Sequence, residues 1–529
     1  MHMINVVDIF AGPGGLGEGF ARYSPSDTRE DRPFRVVLSA EKDPAAVRTL
    51  RLRKFYHLCE TASGVPDSYY DYLRGDRAEP FDQDTEELWA RACAETKPLE
   101  LGTSSGDAQL GNWLRDNLEG NTHWVLIGGP PCQAYSLAGR SRNKGVHGYA
   151  PEQDDRHFLY QHYLRILAEY EPAVFIMENV KGILTSQVGG ELIFPTILRD
   201  LSEPGRAIQE ASGVRYHILP LSSTSSTLES RDARDFVVRA ENHGVPQARH
   251  RVILLGIRED LQPGPIDGLH RGCLVSGHVK LDPFLKGLPP VRSGTRSGTS
   301  DNAAWAEEVV HAVQQFASQG LSRRWKDAML RNFRARAPDE FPHGCGGPFV
   351  PHKRNRTGQS KPQKKLFGWL NAPRLGGFVN HEARSHMSSD LVRYLFASTF
   401  AHELGHSPSA REFPAVLAPM HRNWHSGAFA DRFRVQAFGK PSTTITSHIS
   451  KDGHYYIHPD SSQCRSLTVR EAARLQTFPD DYLFEGNRTE QYVQVGNAVP
   501  PFLARQVADI VHKLLLGGTR RSSPRARKP

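Results

Sequence analysis

The chain is organised around Trp124-Val125-Leu126-Ile127-Gly128-Gly129-Pro130-Pro131-Cys132-Gln133. The apolar run at 124–127 predicts a buried strand. Two glycines then allow a tight turn, and two prolines fix φ for the residues that follow. Cys132 is therefore expected on a stiff loop at the end of a strand, which is where α/β sheets bind their ligands. An isolated free cysteine is more often a small buried hydrophobic residue, so the interpretation depends on the rest of the chain.

The N-terminal segment has a second turn of this kind. The apolar run at 4–10 predicts a strand, and it leads into Gly12, Gly14 and Gly17, which have the spacing of a dinucleotide-binding fingerprint. Another predicted strand ends at Glu41, from which a carboxylate can accept hydrogen bonds from ribose hydroxyls. The pattern fits NAD, FAD or an adenosylated cofactor, and glycine turns without any ligand are also common.

Charged residues follow further predicted strands. Asp107 is expected on a third loop at the cofactor edge. Glu178 follows the apolar run at 173–177, where a carboxylate serves either as an acid or base or as a helix cap. Arg249 and Arg251 would point to one side if the chain is extended there. They would then grip phosphate or carboxylate groups, or form a charged edge.

Two polar segments interrupt the predicted strands. Residues 59–105 show no clear period, and we interpret them as an insertion between two core strands, with helix as one option. Residues 133–156 carry basic side chains among glycines, including Arg140 and Arg142. This composition suits a loop that closes over a phosphate-bearing substrate. It suits a plain solvated loop equally well.

From about residue 258 to residue 438 the alternation of strands and helices stops, which predicts a second domain. Its middle is basic and interleaved with aromatic residues, a mixture typical of nucleic-acid contacts, although any single charge could simply be solvated. The stretch His402-Glu403-Leu404-Gly405-His406 matches the zinc-protease pattern. Because Gly405 predicts the end of a helix and no third ligand is evident, we expect no metal site.

Core-like sequence returns near the C-terminus. Thr468 and Glu471 have the spacing of a capping box and predict a helix within 467–476. The turn at 496–501 leads into an amphipathic final helix. Residues 517–529 are basic and rich in Ser and Pro, which predicts a disordered tail.

Composition restricts the class of protein. The chain has 529 residues, enough for about two to four domain-sized units. Its 66 Lys and Arg residues exceed its 58 Asp and Glu residues, which favours a polyanionic partner. The 6 cysteines form no CxxC pair, which argues for a reducing compartment and against a disulfide framework or a Cys-rich zinc site. The apolar runs are too short to cross a bilayer, so we expect no membrane contact.

Taken together, these segments resemble the cytosine-5 DNA methyltransferase family and stand in the family's order. The matching segments are Asp8-Ile9-Phe10-Ala11-Gly12-Pro13-Gly14-Gly15-Leu16, Gly129-Pro130-Pro131-Cys132-Gln133, Glu178-Asn179-Val180, Gln247-x-Arg249-x-Arg251, the helix within 465–482 with its Leu-Gln-x-Phe-Pro, and Gly496-Asn497-Ala498-Val499-Pro500. Each segment alone is modest, but the whole set in order is highly specific. The resemblance covers about 1–58, 105–258 and 435–515.

The resemblance implies an α/β fold, with a Rossmann-like methyltransferase sheet, helices on both faces, and a second, irregular DNA target-recognition domain. We therefore expect a catalytic domain over 1–258 that contains the insertion at about 59–105. A target-recognition domain over 259–437 and a return to the catalytic domain over 438–516 would follow.

The resemblance also implies the chemistry, with S-adenosylmethionine as cofactor and a cytosine flipped out of duplex DNA. Cys132 would add to C6 of the base, and Glu178 would bind its N3/N4 edge. Arg249 and Arg251 would hold the O2 side, the catalytic loop or a phosphate. The residues implied at the cofactor are Phe10, Gly12, Gly14, Gly15, Leu16, Glu41, Asp107, Pro130, Asn497 and Ala498. Those expected at the DNA are Gln133, Ser136, Arg140, Arg142, Gln247, Lys353, Arg354 and Arg356.

We expect a monomer in prokaryotic cytoplasm, associated with the nucleoid, that acts on duplex DNA and is accompanied by a restriction endonuclease in some cases. Three alternatives stay open. The first is the RNA-methylating branch of the family acting on tRNA, against which the large region at 259–437 argues. The second is a nicotinamide- or flavin-dependent enzyme. The third is a DNA-binding protein with an inactive core, against which Cys132, Glu178 and Arg249 argue.

Overall fold

The computed structural model describes most of the chain, namely residues 3–28, 30–118, 120–121, 123–130, 156–188, 190–210, 212–221, 232–261, 279–295, 298, 301–352, 361–420, 424 and 431–518. Within these residues the strands are β1 Ile4–Ile9, β2 Phe34–Glu41, β3 Thr96–Pro98, β4 Val125–Gly128, β5 Val174–Val180, β6 Gln187–Val188, β7 Glu191–Leu192, β8 Tyr216–Pro220, β9 Val237–Arg239, β10 Gln247–Ala248, β11 His250–Arg258, β12 Gly294–Thr295, β13 Gly346–Pro351, β14 Gly377–Glu382, β15 Ser385–His386 and β16 Ser442–Thr443. The helices are α1 Gly15–Ala21, α2 Pro44–Ala62, α3 Asp67–Arg74, α4 Glu86–Ala94, α5 Ser104–Leu118, α6 Arg156–Tyr170, α7 Phe194–Ser202, α8 Pro204–Ala207, α9 Asp282–Lys286, α10 Asn302–Ser318, α11 Arg323–Phe333, α12 Lys361–Leu370, α13 Ser388–Leu404, α14 Val469–Leu475, α15 Arg488–Asn497 and α16 Pro501–Gly518.

The apolar runs of the N-terminal half assemble into an eight-stranded sheet of order β3-β2-β1-β4-β5-β11-β8, with β9 paired to β11. The strands from β3 to β5 are parallel, whereas β11 is antiparallel to β5, β8 and β9. Strand order reverses between β1 and β4, and ligands of such sheets bind where this happens, beyond the carboxyl ends of the strands.

Helices cover both faces of the sheet, as the sequence predicts. Successive residues of β1 point to opposite faces, so Val6 packs in one apolar cluster and Val7 in another. The first cluster contains α1 and the final helix α16, whereas the second contains α5, α6 and α7. The predicted α/β fold with two covered faces is therefore confirmed.

The second region has its own apolar core, built mainly from α10, α11 and α13. This cluster also includes Ile457 and Cys464, which follow the predicted boundary at residue 437. The preceding helix α9 instead packs with α14 and α15 of the C-terminal part. Contacts therefore cross the predicted boundary between the second region and the C-terminal return in both directions.

Two local predictions differ from the structure. The predicted insertion at 59–105 contains β3, which pairs with β2 as the edge strand of the sheet, as well as α3 and α4. The predicted disordered tail begins two residues too early, because α16 continues to Gly518; residues 519–529 lie outside the described part of the chain. Within the described residues, no helix combines the length and the apolar character needed to cross a membrane.

Candidate active site

The register of the sheet brings four predicted segments to one edge. Ile9 of β1 is paired with Ala40 of β2 and with Gly128 of β4, and Gly128 is paired with Met177 of β5. The next residue along each of these four strands is Phe10, Glu41, Gly129 and Glu178, respectively. Because the strands are parallel, these residues stand in a row at the carboxyl edge of the sheet, where the chain order leaves a ligand site.

An Arg–Glu ion pair occupies one end of this row. Arg251 Nε lies 2.9 Å from Glu178 Oε1, and each side chain keeps 13% of its surface exposed. A Cβ on Gly129 would lie 3.0 Å from Glu178 Oε2, so the ends of β4 and β5 approach each other closely here. Asn179 Nδ2 donates to the carbonyl of Pro130 at 3.3 Å and ties the end of β4 to that of β5. The carboxylate is thus held beside Gly129, three residues before Cys132 in the sequence, and keeps part of its surface exposed.

Arg249 and Gln247 point into the protein instead. Arg249 is 1% exposed and donates to the carbonyls of Ile445 at 2.7 Å and Gly496 at 3.2 Å. Burial lowers the pKa of its guanidinium, with a further contribution from the nearby charge of Arg251. Gln247 is fully buried, and its amide bonds to Leu475, Gln476 and Ile445. The structure therefore places Gln247, expected at the DNA, in the protein interior, because its amide completes backbone hydrogen bonds of the C-terminal part.

The other end of the row has the features of a nucleoside site. Gly12 has a left-handed φ of 55°, and a Cβ there would meet nothing within 4 Å, so its backbone faces open space. The Glu41 carboxylate accepts from the backbone N–H of Gly12 at 2.8 Å and from those of Lys42 and Asp43 at 2.9 Å. It is only partly buried. A carboxylate that is fixed in this way and still accessible fits the ribose hydroxyls of an adenosylated cofactor.

The remaining glycine-turn residues form the support of this site. A Cβ on Gly15 would lie 2.2 Å from the carbonyl oxygen of Val499, and Leu16 is buried in the core. Tyr482 donates its hydroxyl to the carbonyl of Pro13, and burial raises the pKa of that hydroxyl well above its usual value. Of the residues expected on the last turn, Asn497 is exposed and Ala498 is buried. Gly15, Leu16 and Ala498 therefore hold the turns together, whereas Gly12 and Asn497 face outward.

Asp107 does not lie on a loop, so this prediction is wrong. It occupies the first turn of α5, where its carboxylate accepts from the Gly102 N–H at 2.9 Å and lies 2.7 Å from His162 Nδ1. A short polar side chain near a helix start favours such local hydrogen bonds. The acidic residue nearest the end of β3 is instead Glu100, whose Oε1 lies 3.2 Å from Lys42 Nζ. Sequence reasoning missed Glu100 because it falls inside the predicted insertion.

Several predicted site residues lie outside the described residues. They are Cys132, Gln133, Ser136, Arg140 and Arg142 after the β4 strand, and Lys353, Arg354 and Arg356 after β13. Their assigned roles stay predictions. In the sequence, Cys132 follows Pro130 by two positions.

The aromatic residues of the basic segment have a structural use. Trp325 of α11 stacks on Phe400 with ring centroids 5.5 Å apart, and Phe333 packs on Trp305 at 5.3 Å. Phe367 stacks on Phe284 at 4.6 Å. The interleaving of aromatic and basic residues there thus reflects amphipathic helices, with rings turned inward and charges outward.

The zinc-protease pattern is broken by the end of a helix, as predicted. Helix α13 ends at Leu404, and Gly405 follows in the left-handed conformation with φ 75°. His406 lies beyond the helix, where its Nε2 is 3.0 Å from Glu412 Oε1. Among the residues that the structure describes, no group of three or more His, Cys, Asp or Glu side chains could hold a metal ion.

Sequence reasoning also missed how much of the site rests on α14 and its flanks. We call residues 465–482 the junction. Here Gln476 Nε2 donates to the carbonyls of Val495 at 2.8 Å and Ala498 at 3.4 Å. These hydrogen bonds hold the turn at Asn497 against the junction. Through Gln476, which bonds to Gln247, and through Tyr482, which bonds to Pro13, the junction connects β10, the glycine turn and the last turn. The Leu-Gln-x-Phe-Pro motif was the available signal, but it does not show which contacts the glutamine makes.

Comparison with known proteins identifies the family of the chain. The sequence model of the C-5 cytosine-specific DNA methylase family matches residues 103–276 and 352–513. A type II methyltransferase of Bacillus paralicheniformis, M.Bpa9945I, is 32% identical over 96% of this chain and 99% of its own length. The DNA (cytosine-5-)-methyltransferase M.ApeKI of Aeropyrum pernix is 26% identical over 97% of this chain and 99% of its own.

The fold has a counterpart among solved structures. The crystal structure of a prophage-encoded E. coli protein superposes with a TM-score of 0.53 at 18% identity, covering 97% of this chain and 99% of the other. At that identity the likeness concerns the fold alone. The sequence matches establish more: the chain belongs to the C-5 cytosine-specific DNA methylase family. The nicotinamide or flavin interpretation of the glycine turn has no support from these relatives.

Proposed function

We propose that this protein transfers a methyl group from S-adenosylmethionine to C5 of a cytosine flipped out of duplex DNA. One observation carries the proposal: the Glu178–Arg251 pair stands beside Gly129, in the same row of strand ends as Glu41 and the glycine turn. Two partly exposed carboxylates thus lie on one sheet edge, on either side of the switch in strand order, where Glu178 would bind the base and Glu41 the nucleoside part of the cofactor.

The described residues fit the cofactor. Gly12 leaves open space at the strand end, and Glu41 offers an accessible carboxylate that three backbone N–H groups hold in place. When bound, S-adenosylmethionine would supply an electrophilic methyl group. Phe10, Glu41, Pro130 and Asn497 would surround it. Gly15, Leu16 and Tyr482 would keep the turn in shape.

The protein's own residues would then make the base reactive. The Cys132 thiolate would add to C6 of the cytosine, which turns C5 into a nucleophile. Glu178 would bind the N3/N4 edge and stabilise the charge that develops there, and Arg251 would hold Glu178 in place. C5 would then carry both the methyl group and a proton. A base or a water molecule would remove that proton, and the electron pair of the C5–H bond would expel the Cys132 sulfur from C6 as a thiolate, which restores the aromatic ring. Arg249 would act only through its hold on the Ile445 and Gly496 carbonyls.

We further propose that residues 259–437 recognise the DNA sequence and that the protein belongs to a restriction–modification system. The first proposal is supported by the lack of any predicted methylase motif in that region, and by the family motifs on both sides of it. The second is supported by the name of the relative M.Bpa9945I, a type II methyltransferase that matches over nearly its whole length.

Transfer of a labelled methyl group from S-adenosylmethionine to duplex DNA and to tRNA tests the proposal. We expect label in DNA alone, and bisulfite sequencing of DNA from an expressing host should show methylated cytosines in one sequence context. Label in tRNA alone would support the RNA-methylating alternative. No label in either nucleic acid, from a folded preparation that binds S-adenosylhomocysteine, would contradict the proposal.

A further inference from the structure

The helices between β2 and β3 contact a distant part of the chain. We call residues 65–94 the helical insert. With α2 it forms an apolar cluster to which the second region contributes two fully buried side chains, Leu375 and Val379. The insert is therefore packed between the sheet domain and the second region.

Arg374 makes most of the polar part of this contact, to which Arg74 of the insert adds a hydrogen bond from its Nη1 to the Leu375 carbonyl at 3.4 Å. Arg374 Nη1 donates to the carbonyl of Val65 at 2.6 Å, and its Nη2 donates to Asp67 Oδ1 at 2.7 Å. Its guanidinium also lies 4.5 Å from the centre of the Tyr70 ring, a cation–π distance. The half-exposed Arg374 side chain thus makes three contacts, all to one face of the insert, although an isolated surface ion pair contributes little.

A second polar contact joins the insert to the C-terminal part. The Tyr72 hydroxyl donates to Glu485 Oε1 at 2.7 Å. Burial and the nearby Glu485 carboxylate raise the pKa of Tyr72, so this hydroxyl stays a donor at neutral pH. The insert therefore has polar contacts both to Glu485 of the C-terminal part and to Arg374 of the second region.

Arg374 lies just before β14, in the connection of residues 352–376 that joins β13 to β14. We call the antiparallel strand pair β13 and β14 the hairpin. Leu375 is followed by Gly376, whose carbonyl accepts from His352 N–H at 3.1 Å, and by β14, which is antiparallel to β13. A two-stranded hairpin is marginally stable by itself and depends on the surfaces it packs against. On the side of Leu375 and Val379, that surface is the helical insert.

We propose that the helical insert positions the β13–β14 hairpin for sequence selection, with Arg374 and Tyr72 as positioning residues. The inference rests on the proposed role of 259–437 in recognition. Reading base pairs requires side chains that are placed to within a fraction of an ångström. If the hairpin loses its contact with the insert, we therefore expect the protein to discriminate less between DNA sequences before its DNA affinity falls. The insert thereby couples the cofactor-binding half of the sheet domain to the choice of DNA site.

The test compares Arg374→Ala and Arg374→Lys with the matched control Arg323→Ala. Arg323 is also in the second region, is 91% exposed, and has an ion pair with Asp327 on its own helix. The measurement is kcat/KM for duplexes with the methylated site, mapped by bisulfite sequencing, and for duplexes with one altered base pair. The ratio of the two values cancels any loss of folded enzyme, so a merely structural role would not change it.

We expect this ratio to fall about threefold to tenfold in Arg374→Ala, since hydrogen bonds from a charged group are lost. Arg374→Lys should fall less, because it keeps the cation near Tyr70 and one donor for Val65. The control should keep the parent's ratio. Amide hydrogen exchange of 346–351 and 377–382 should be faster in Arg374→Ala than in the control.

An unchanged discrimination ratio, or unchanged exchange of the hairpin, would overturn the inference. A parent protein that methylates no DNA would instead overturn the proposed function. In that case, duplexes that bind the protein are first selected from a pool of random sequences. The ratio is then that of the equilibrium affinities for a selected duplex and for the same duplex with one altered base pair. An equal ratio in parent and Arg374→Ala would then overturn the positioning role as well.

Discussion

Two Arg–Glu ion pairs in this protein consist of the same residue types but differ in their exposure to solvent. At the sheet edge, Arg251 and Glu178 meet through one contact of 2.9 Å, and both side chains are 13% exposed. In the junction, both Nη atoms of Arg465 lie 2.6 Å from the Glu471 carboxylate, and the side chains are 0% and 2% exposed. Glu471 also completes the capping box of α14 with Thr468.

The difference follows from what surrounds each carboxylate. Burial alone would raise the pKa of Glu471, but Arg465 and His458 hold it well below its usual range. Every polar atom of that pair has a protein partner, so it holds segments together and offers nothing to a ligand. The edge pair keeps accessible oxygen and nitrogen atoms, which a substrate can use. We therefore expect edge variants to lose turnover and junction variants to lose stability.

The largest effect is expected on the rate of methylation. Cys132→Ser should reduce methylation to below about a thousandth of the parent rate, because a serine hydroxyl is far less ionised and less nucleophilic than a thiol. DNA affinity and the midpoint of unfolding should stay close to those of the parent. Single-turnover methylation and DNA binding are measured together. A rate within tenfold of the parent would remove Cys132 from its assigned role.

The next largest effect is expected in the junction. Arg465→Met should lower the free energy of unfolding by about 3–5 kcal/mol, because it leaves the Glu471 charge buried without its partner. Urea denaturation at pH 7 measures this loss. The matched control is Arg465→Met with Glu471→Gln, which removes both charges and should recover much of the stability. If the single variant is as stable as the parent, the two Arg–Glu pairs do not differ as described.

Glu178→Gln tests the difference between the two Arg–Glu pairs most directly. We expect turnover to fall by about a hundredfold, the usual cost of losing a general acid, with the free energy of unfolding changed by less than about 1 kcal/mol. The small stability change is expected because Arg251 can be solvated once its partner is neutral. Single-turnover methylation assays measure the turnover, and urea denaturation measures the free energy of unfolding. Unchanged turnover would make Glu178 a structural residue like Glu471.

The smallest effects concern the second region. Replacing Lys353, Arg354 and Arg356 by neutral residues should weaken DNA binding and reduce its salt dependence by up to about three charge units. S-adenosylhomocysteine affinity should stay unchanged, because Glu41 and the glycine turn lie elsewhere. DNA affinity against salt concentration and calorimetry with S-adenosylhomocysteine measure the two effects. An unchanged salt slope would show that these side chains are only solvated.

Much of the fold followed from local pattern. The capping box of Thr468 and Glu471, the helix end at Gly405 and the strand that ends at Glu41 were all predicted and are present. The strand predicted before Glu178 is present as well and continues to Val180. These features depend on neighbouring residues and on backbone geometry, which a sequence contains directly. The position of Asp107 was predicted wrongly, because a loop and a first helical turn have similar composition there.

By itself, the sequence determined the family, the sheet and which segments reach its carboxyl edge. Only the tertiary structure decided which way each polar side chain points and what it meets. Arg249 and Arg251 are two residues apart, yet Arg249 donates to buried carbonyls whereas Arg251 forms an ion pair with Glu178. Likewise, nothing in residues 65–94 indicates that they hold Arg374, which is 309 residues from Val65. Such contacts depend on packing between segments distant in the chain, whereas periodicity and capping depend on close neighbours.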